Sequence, residues 1–300
     1  MDWYPLPQND TPPAPPPPSK GRCFGRAVLP PALHMLIQFA VAFVVIFFAM
    51  ISLFYIAAQE TGEIPQIDAQ EFLSSPVYAR AIMDGVLYSG FISAGLFFWM
   101  YKRNLRKERF APMRPPGASS VLFLVAVIAV AGNFTLVAGV TAVQDFLGTD
   151  LPTSSLDGVT EGVNPLILLL SVCFAAPVAE ELCFRGLAFR HLLRGFPFWK
   201  ANMIQAALFG VIHITPVQVG YAFLFGLLLG WIFHRTGRFG AVVLAHIVFN
   251  FANFLFALIP HAESLTEDPS RLLLYVGLPA AAVLALGIRR LGAATAAQEA

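Results

Sequence analysis

Apolar stretches of about 20 residues, each long enough to cross a hydrocarbon layer roughly 30 Å thick, recur along this chain at 33–58, 81–101, 119–143, 165–190, 201–215, 217–233, 239–259 and 272–288. Lipid offers the backbone no hydrogen-bond partners, so a spanning segment must satisfy its own amide groups, and segments of this length do so as α-helices. With 57% hydrophobic and 12% charged residues and a mean hydropathy of +0.68, the chain is expected to be an all-α integral membrane protein. The fold predicted is a polytopic bundle of about eight transmembrane helices around a polar chamber open toward the cytoplasmic side. The stretch 201–215 is short and meets the next through Thr215-Pro216, so seven spans or a re-entrant pair also fit.

Loop charges supply an independent check, because Lys and Arg accumulate on the cytoplasmic side. Lys20, Arg22 and Arg26 precede the first span, whereas Glu60, Glu63, Asp68 and Glu71 follow it with Arg80 alone in opposition. Lys102, Arg103, Arg106, Lys107, Arg109 and Arg114 come next, then Asp145, Asp150, Asp157 and Glu161 with no base among them. Arg190, Arg194 and Lys200 return the chain to the basic side, as do Arg235 and Arg238, and Arg289 and Arg290 close it. Eight spans with both termini cytoplasmic satisfy every loop, in what is expected to be a bacterial plasma membrane. The net charge of +1 conceals this segregation, and nucleic acid is not an expected partner. The basic loop 102–114 suits anionic headgroups and equally an ordinary positive-inside loop.

Residues 1–30 read as a disordered, Pro-rich cytoplasmic tail, carrying Thr11-Pro12-Pro13-Ala14-Pro15-Pro16-Pro17-Pro18, followed by a single transmembrane domain over 31–290 and a short tail over 291–300. Cys23, Cys173 and Cys183 form neither a disulfide framework nor a CxxC zinc site.

Polar residues interrupt the most apolar part of the chain in three places: Glu180, Glu181 and Arg185 in the fourth span, His213 in the fifth, and His246 with Asn250 in the seventh. A charge at the centre of a spanning helix costs roughly 2.5–3.5 kcal/mol, so the first three together cost on the order of 10 kcal/mol. Counted from the basic ends at 1.5 Å per residue, Glu180 lies roughly 15–20 Å deep, His213 about 20 Å, and His246 and Asn250 roughly 10 and 16 Å. Three helices thus deliver polar groups to one slab. His246, Asn250 and Asn253 share a helical face, as do Gln205, Phe209 and His213. Glu181 and Arg185 stand at i,i+4, the spacing of an ion pair, which leaves Glu180 about 100° away and free to act as a base. His34, His191, His234 and His261 fall at span ends or in loops and read as interfacial or solvated residues. Gly226 and Gly230 read as a close helix-packing stripe, and Pro165, Pro177 and Pro216 as kink positions around the chamber.

A Glu beside two His and an Asn supplies what amide hydrolysis needs. Glu180 would take a proton from water, His213 would hold that water, and His246 with Asn250 would stabilise the oxyanion. Glu180, His213 and His246 could equally hold one zinc ion with an open position for water. The spacing fits both.

Glu180-Glu181-x-x-x-Arg185, Phe209-x-x-x-His213 and His246-x-x-x-Asn250 resemble, in order, the three signature motifs of the CPBP family, the CAAX protease and bacteriocin-processing intramembrane proteases. The resemblance covers about residues 165–255 and implies an α-helical membrane endopeptidase, with Glu180, His213, His246 and Asn250 as its catalytic residues and Glu181 and Arg185 in support. Its expected substrate is a membrane-associated polypeptide, with a prenylated CAAX-type C-terminus as one form; membrane lipid and a lipidated peptide are the expected partners, and oligomeric state is left open. Relatives described as bacteriocin self-immunity or scaffold proteins supply the alternative, a non-enzymatic immunity or membrane peptide-binding protein on the same fold. Proton-coupled transport would favour two similar halves, and the polar motifs are confined to the second half of the chain.

Overall fold

The computed structural model describes residues 18–62, 68–107, 109–111, 113, 119–149, 151, 163–257 and 268–296. Among these are nine helices and no strand: α1 Lys20–Thr61, α2 Ala69–Leu73, α3 Pro76–Arg106, α4 Ser119–Leu147, α5 Pro165–Leu192, α6 Phe198–Val211, α7 Pro216–Thr236, α8 Phe239–Ala257 and α9 Pro269–Ala296. The fold is an all-α polytopic membrane bundle. Every expected span becomes a helix, and six of them, α1, α3, α4, α5, α7 and α9, are long and apolar enough to cross a membrane. The other two are shorter: α8 is apolar over Phe239–Asn253, and α6 has 14 residues, about 21 Å of rise against a layer of roughly 30 Å.

A tight reversal explains the shortness of α6. The backbone N–H of Thr215 bonds the His213 carbonyl at 2.8 Å, and Ile214 between them is held at φ 69°. That left-handed conformation is an outlier for a β-branched residue. α6 and α7 therefore form a helical hairpin whose tip carries His213.

Two ends differ from the sequence reading. α1 begins at Lys20, capped by Ser19, and buries Cys23 and Ala27; residues 20–30, expected within the tail, are thus helical, and the remainder of that expectation, residues 1–17, lies outside the described set. Cys23 packs so closely on Gly195 that a Cβ there would meet its sulfur at 3.0 Å. α9 runs on to Ala296 with Leu291 and Thr295 buried, so the helix continues into the expected C-terminal tail.

α5 is the axial helix, with α1, α3, α6 and α8 packed around it. It is wound unevenly, with π-helical turns at Leu169–Ala175 and Leu182–Ala188. In the first of these the Ala176 N–H reaches five residues back, to Ser171. The next amide in that register belongs to Pro177, which has no N–H, so the Val172 carbonyl is left for another donor. Pro165 and Pro216, by contrast, occupy the first turns of α5 and α7, where proline is tolerated without kinking the helix.

α4 joins the bundle through α8 and α9. The small-residue stripe on α7 is a packing surface, as expected. A Cβ at Gly226 would meet Ala206 at 3.1 Å, and one at Gly230 would run into the Asn202 side-chain oxygen, with the Gln205 amide at 2.7 Å.

Candidate functional site

Glu180 and Glu181 point to different neighbours, as adjacent helical positions must. Glu181 is wholly buried, and its Oε1 accepts from Arg185 Nη1 at 2.9 Å and from His246 Nδ1 at 2.8 Å. The expected i,i+4 pair is present. Its second partner, on α8, was not legible in the spacing. Arg185, also wholly buried, donates Nη2 to the Gly226 carbonyl at 3.0 Å and lies over the Phe209 ring at 4.8 Å. Gln205 donates to the same carbonyl at 2.9 Å and to Asn202 Oδ1 at 2.8 Å. The absence of a side chain at Gly226 and Gly230 is what gives α6 and Arg185 access to this backbone. One polar network therefore ties α5, α6, α7 and α8 together beneath the site.

His246 receives its orientation from Glu181. With Nδ1–H given to that carboxylate, Nε2 faces Glu180 Oε2 at 3.7 Å, too long for a direct hydrogen bond. Phe209 and Phe225 close on the imidazole edge-on, at 5.9 and 5.2 Å between ring centres. His213 is fixed in a similar way. Its Nδ1 bonds the Phe209 carbonyl at 2.8 Å; a carbonyl only accepts, so Nδ1 carries the proton and Nε2 is left with a lone pair in the neutral ring.

Asn250 donates Nδ2 to the Val172 carbonyl at 2.8 Å, the group that Pro177 leaves unpaired. One of its two amide hydrogens is thus committed to holding α8 against α5, and only the second is available to a ligand. Asn133, unremarked in the sequence, is buried on α4 and donates to the Phe249 carbonyl at 3.0 Å and to Asn253 Oδ1 at 3.1 Å.

These groups border a cavity of about 770 Å³ whose wall includes Glu180, His213, His246, Asn250, Asn253 and Asn133. Glu181 and Arg185 are set behind it. On α5 the wall runs Leu168, Val172, Ala176, Glu180, one residue per turn, and Glu180 is its last member. Toward the basic loops Phe184, Leu187, Phe189 and Leu192 are fully buried. The chamber therefore has its floor at Glu180 and extends toward the acidic-loop ends of α4, α5 and α8, the reverse of the direction expected. Interdigitated core side chains fill the basic half and leave no room for the opening there. Apolar groups such as Val140, Phe225 and Phe249 make up much of the remaining wall.

His34 corrects a second expectation. It is 1% exposed rather than interfacial, bonds Ser93 Oγ through Nδ1 at 3.0 Å, and lies within electrostatic reach of Glu180 and His213. The helix begins 14 residues before it, at Lys20, which carries His34 about 21 Å along α1. His191 is likewise buried, against Phe110 at 4.8 Å between ring centres, and His234 stacks on Phe198 at 4.1 Å. His261 lies outside the described residues.

A metal ion, the alternative use of Glu180, His213 and His246, would draw on groups that share the chamber wall. Among the described residues no three His, Cys, Asp or Glu side chains converge closely enough to hold one. His246 has Nε2 to offer, 3.7 Å from Glu180 Oε2, a separation close to that of two ligands on one tetrahedral ion. Cys23, Cys173 and Cys183 are buried free thiols.

Residues 162–252, which contain all three motifs, match the sequence model of the family described as type II CAAX prenyl endopeptidase Rce1-like. A protein of Bacillus subtilis (strain 168) named "Putative membrane peptidase YdiL" is 24% identical over 125 residues, 42% of this chain and 50% of that protein. The match thus spans about half the length of that curated relative. No solved structure gives a significant match. The family resemblance read from the three motifs is borne out over this segment, in a multi-pass membrane protein.

Proposed function

We propose, from a central segment of Rce1-like family and from the chamber it floors, that this protein is an intramembrane endopeptidase acting on a membrane-associated polypeptide through a glutamate-activated water. The observation that carries the reading is the Glu181–His246–Glu180 relay. A buried carboxylate fixes one face of His246 at 2.8 Å, and the other face meets Glu180 across 3.7 Å at the floor of the chamber.

In this mechanism water sits between Glu180 and His213 Nε2. Glu180 takes a proton from it as its oxygen forms the bond to the scissile carbonyl carbon, and the carbonyl electrons move to the oxygen. The oxyanion is met by His246 Nε2–H and by the second Asn250 amide hydrogen. Because Nδ1–H is already committed to Glu181, His246 can donate from Nε2 only as the imidazolium. Glu180 then returns its proton to the amide nitrogen, the C–N bond breaks, and a carboxylic acid and an amine leave. Glu181 and Arg185 act by positioning. No step requires a metal.

The apolar wall suits a lipidated or otherwise membrane-embedded peptide, and a prenylated Cys-a-a-X C-terminus is the first substrate to try. The charge alternation of the loops supports cytoplasmic termini, and a bacterial plasma membrane is the proposed location.

Cleavage of prenylated and membrane-tethered peptides by the purified full-length protein tests this reading, wild type beside Glu180→Ala, each with and without a chelator. The expected result is cleavage that is insensitive to chelator and lost by a factor of at least about 100 in the variant. Chelator-sensitive cleavage would replace the metal-free mechanism with a zinc one. A folded wild type that binds these peptides without cutting them, and binds equally well as Glu180→Ala, would replace the enzyme with a peptide-binding or immunity protein.

A further inference from the structure

A second cavity, of about 360 Å³, lies at the opposite end of α5, among the basic-loop ends of α3, α5 and α7. Arg109, Arg190 and Arg194 line it together with Phe110, Met113 and Phe233, and among the described residues no Asp or Glu contributes to its wall. Arg190 is ten residues along α5 from Glu180, roughly 15 Å, with the filled basic half of the bundle between them. The two cavities are separate.

Arg190 is built in rather than trailing in solvent. Arg190 donates Nη2 to the Ala111 carbonyl and lies over the rings of Phe110 and Tyr101, at 4.6 and 5.7 Å. Among the described residues its buried Nη1 meets no hydrogen-bond acceptor, and neither does Nη1 of Arg194. Around Arg109, burial and then Arg26, Arg194 and Arg103 hold the guanidinium below the ordinary arginine range. Like charges have thus been gathered at a cost, with donors left unsatisfied, in a place where a doubly or singly charged oxyanion would relieve both.

We propose that this cavity binds the phosphate of an anionic phospholipid headgroup. The arginines take the phosphate oxygens, and Phe110, Met113, Leu193 and Phe233 face the glycerol and first acyl carbons. A half-apolar wall at the basic-loop interface, the level at which headgroups lie, favours a lipid over a free phosphate ion. Such a lipid would bridge α5, α7 and the segment after α3.

The test uses the full-length protein in detergent, titrated with phosphatidylglycerol and separately with phosphatidylcholine, with bound lipid counted by native mass spectrometry. One phosphatidylglycerol per chain is expected, held about tenfold more tightly than phosphatidylcholine. Arg109→Gln with Arg194→Gln should weaken it about tenfold, whereas Lys102→Gln with Arg106→Gln, an equal charge loss outside the cavity, should change it less than about twofold. Equal weakening in both double variants would mean diffuse attraction to a basic face and overturn the site, as would equal retention of phosphatidylcholine. Displacement of the lipid by low millimolar inorganic phosphate would assign the cavity to the free ion and overturn the lipid reading. Elution volume and melting temperature report folding. Should the glutamine pair not fold, Arg109→Lys with Arg194→Lys keeps the charge but loses the planar fork, and it should still weaken the lipid severalfold; unchanged binding in the lysine pair would mean diffuse attraction and overturn the site.

Discussion

Replacing either of two adjacent glutamates should produce opposite phenotypes. Glu181 and Arg185 have no exposed side-chain surface and meet at 2.9 Å. Glu181→Ala would leave the guanidinium with the Gly226 carbonyl and the Phe209 face, and His246 Nδ1 without its acceptor. Breaking a buried ion pair from one side costs about 3–5 kcal/mol. The charged hydrogen bond to His246 belongs to the same network, so its share does not simply add. Glu180 has an 11% exposed side chain and no polar partner nearer than 3.7 Å in its contact with His246, so Glu180→Ala should cost less than about 1 kcal/mol. The two variants should therefore differ by about 3 kcal/mol, on the order of 100-fold in the unfolding equilibrium. Reversible unfolding in mixed SDS–detergent micelles, followed by tryptophan fluorescence, measures this directly. Glu181→Leu combined with Arg185→Met should recover most of the loss, because the cost lies in the stranded charge rather than in the missing attraction. Equal stability of Glu180→Ala and Glu181→Ala, or a double variant no better than the single one, would refute the assignment of Glu181 to structure and Glu180 to the chamber.

Other perturbations are as specific. Asn250→Leu should lose about 1–3 kcal/mol because the Val172 carbonyl becomes a buried, unpaired acceptor; adding Pro177→Ala, which restores an N–H in reach of that carbonyl, should return part of it in the same micelle assay. Gly230→Ala forces a Cβ onto the Asn202 side-chain oxygen and to 2.7 Å from the Gln205 amide nitrogen, and the overpacking should cost at least about 1–3 kcal/mol, read as a drop in melting temperature. Ile214→Gly relieves a left-handed φ of 69° at a position 63% exposed, so it should stabilise the fold by about 1 kcal/mol; a destabilised variant would show that the Ile side chain outweighs its backbone strain. Ser93→Ala removes the hydrogen-bond partner of buried His34 and should cost about 1 kcal/mol in the same unfolding titration.

Particular residues show how far the sequence reaches. The i,i+4 spacing of Glu181 and Arg185, and the consequent freedom of Glu180, follow from helix geometry alone. So does the common face of His246, Asn250 and Asn253, all of which border the chamber. The bond from His246 to Glu181 joins residues 65 positions apart, a separation across which no periodicity carries information. Asn250 shows the limit of a motif: its position on the inner face was readable, whereas the commitment of one amide hydrogen to Val172 depends on a π-helical turn that shifts which carbonyl Pro177 leaves unpaired. His34 was misplaced because hydropathy locates where a span becomes apolar, not where its helix begins.

Apolar runs, loop charges and intrahelical spacing belong to the sequence, because lipid forces each span to close its own hydrogen bonds and helical pitch then decides which side chains share a face. That much determined an all-α membrane bundle with polar groups at one depth. Only the tertiary structure decided that α6 stops after 14 residues and turns back. It alone set the chamber extending away from the basic loops, and brought three arginines to one cavity at the other end of α5. The direction in which a bundle is hollow depends on which side chains interdigitate between helices distant in the chain, and that is settled by packing in three dimensions.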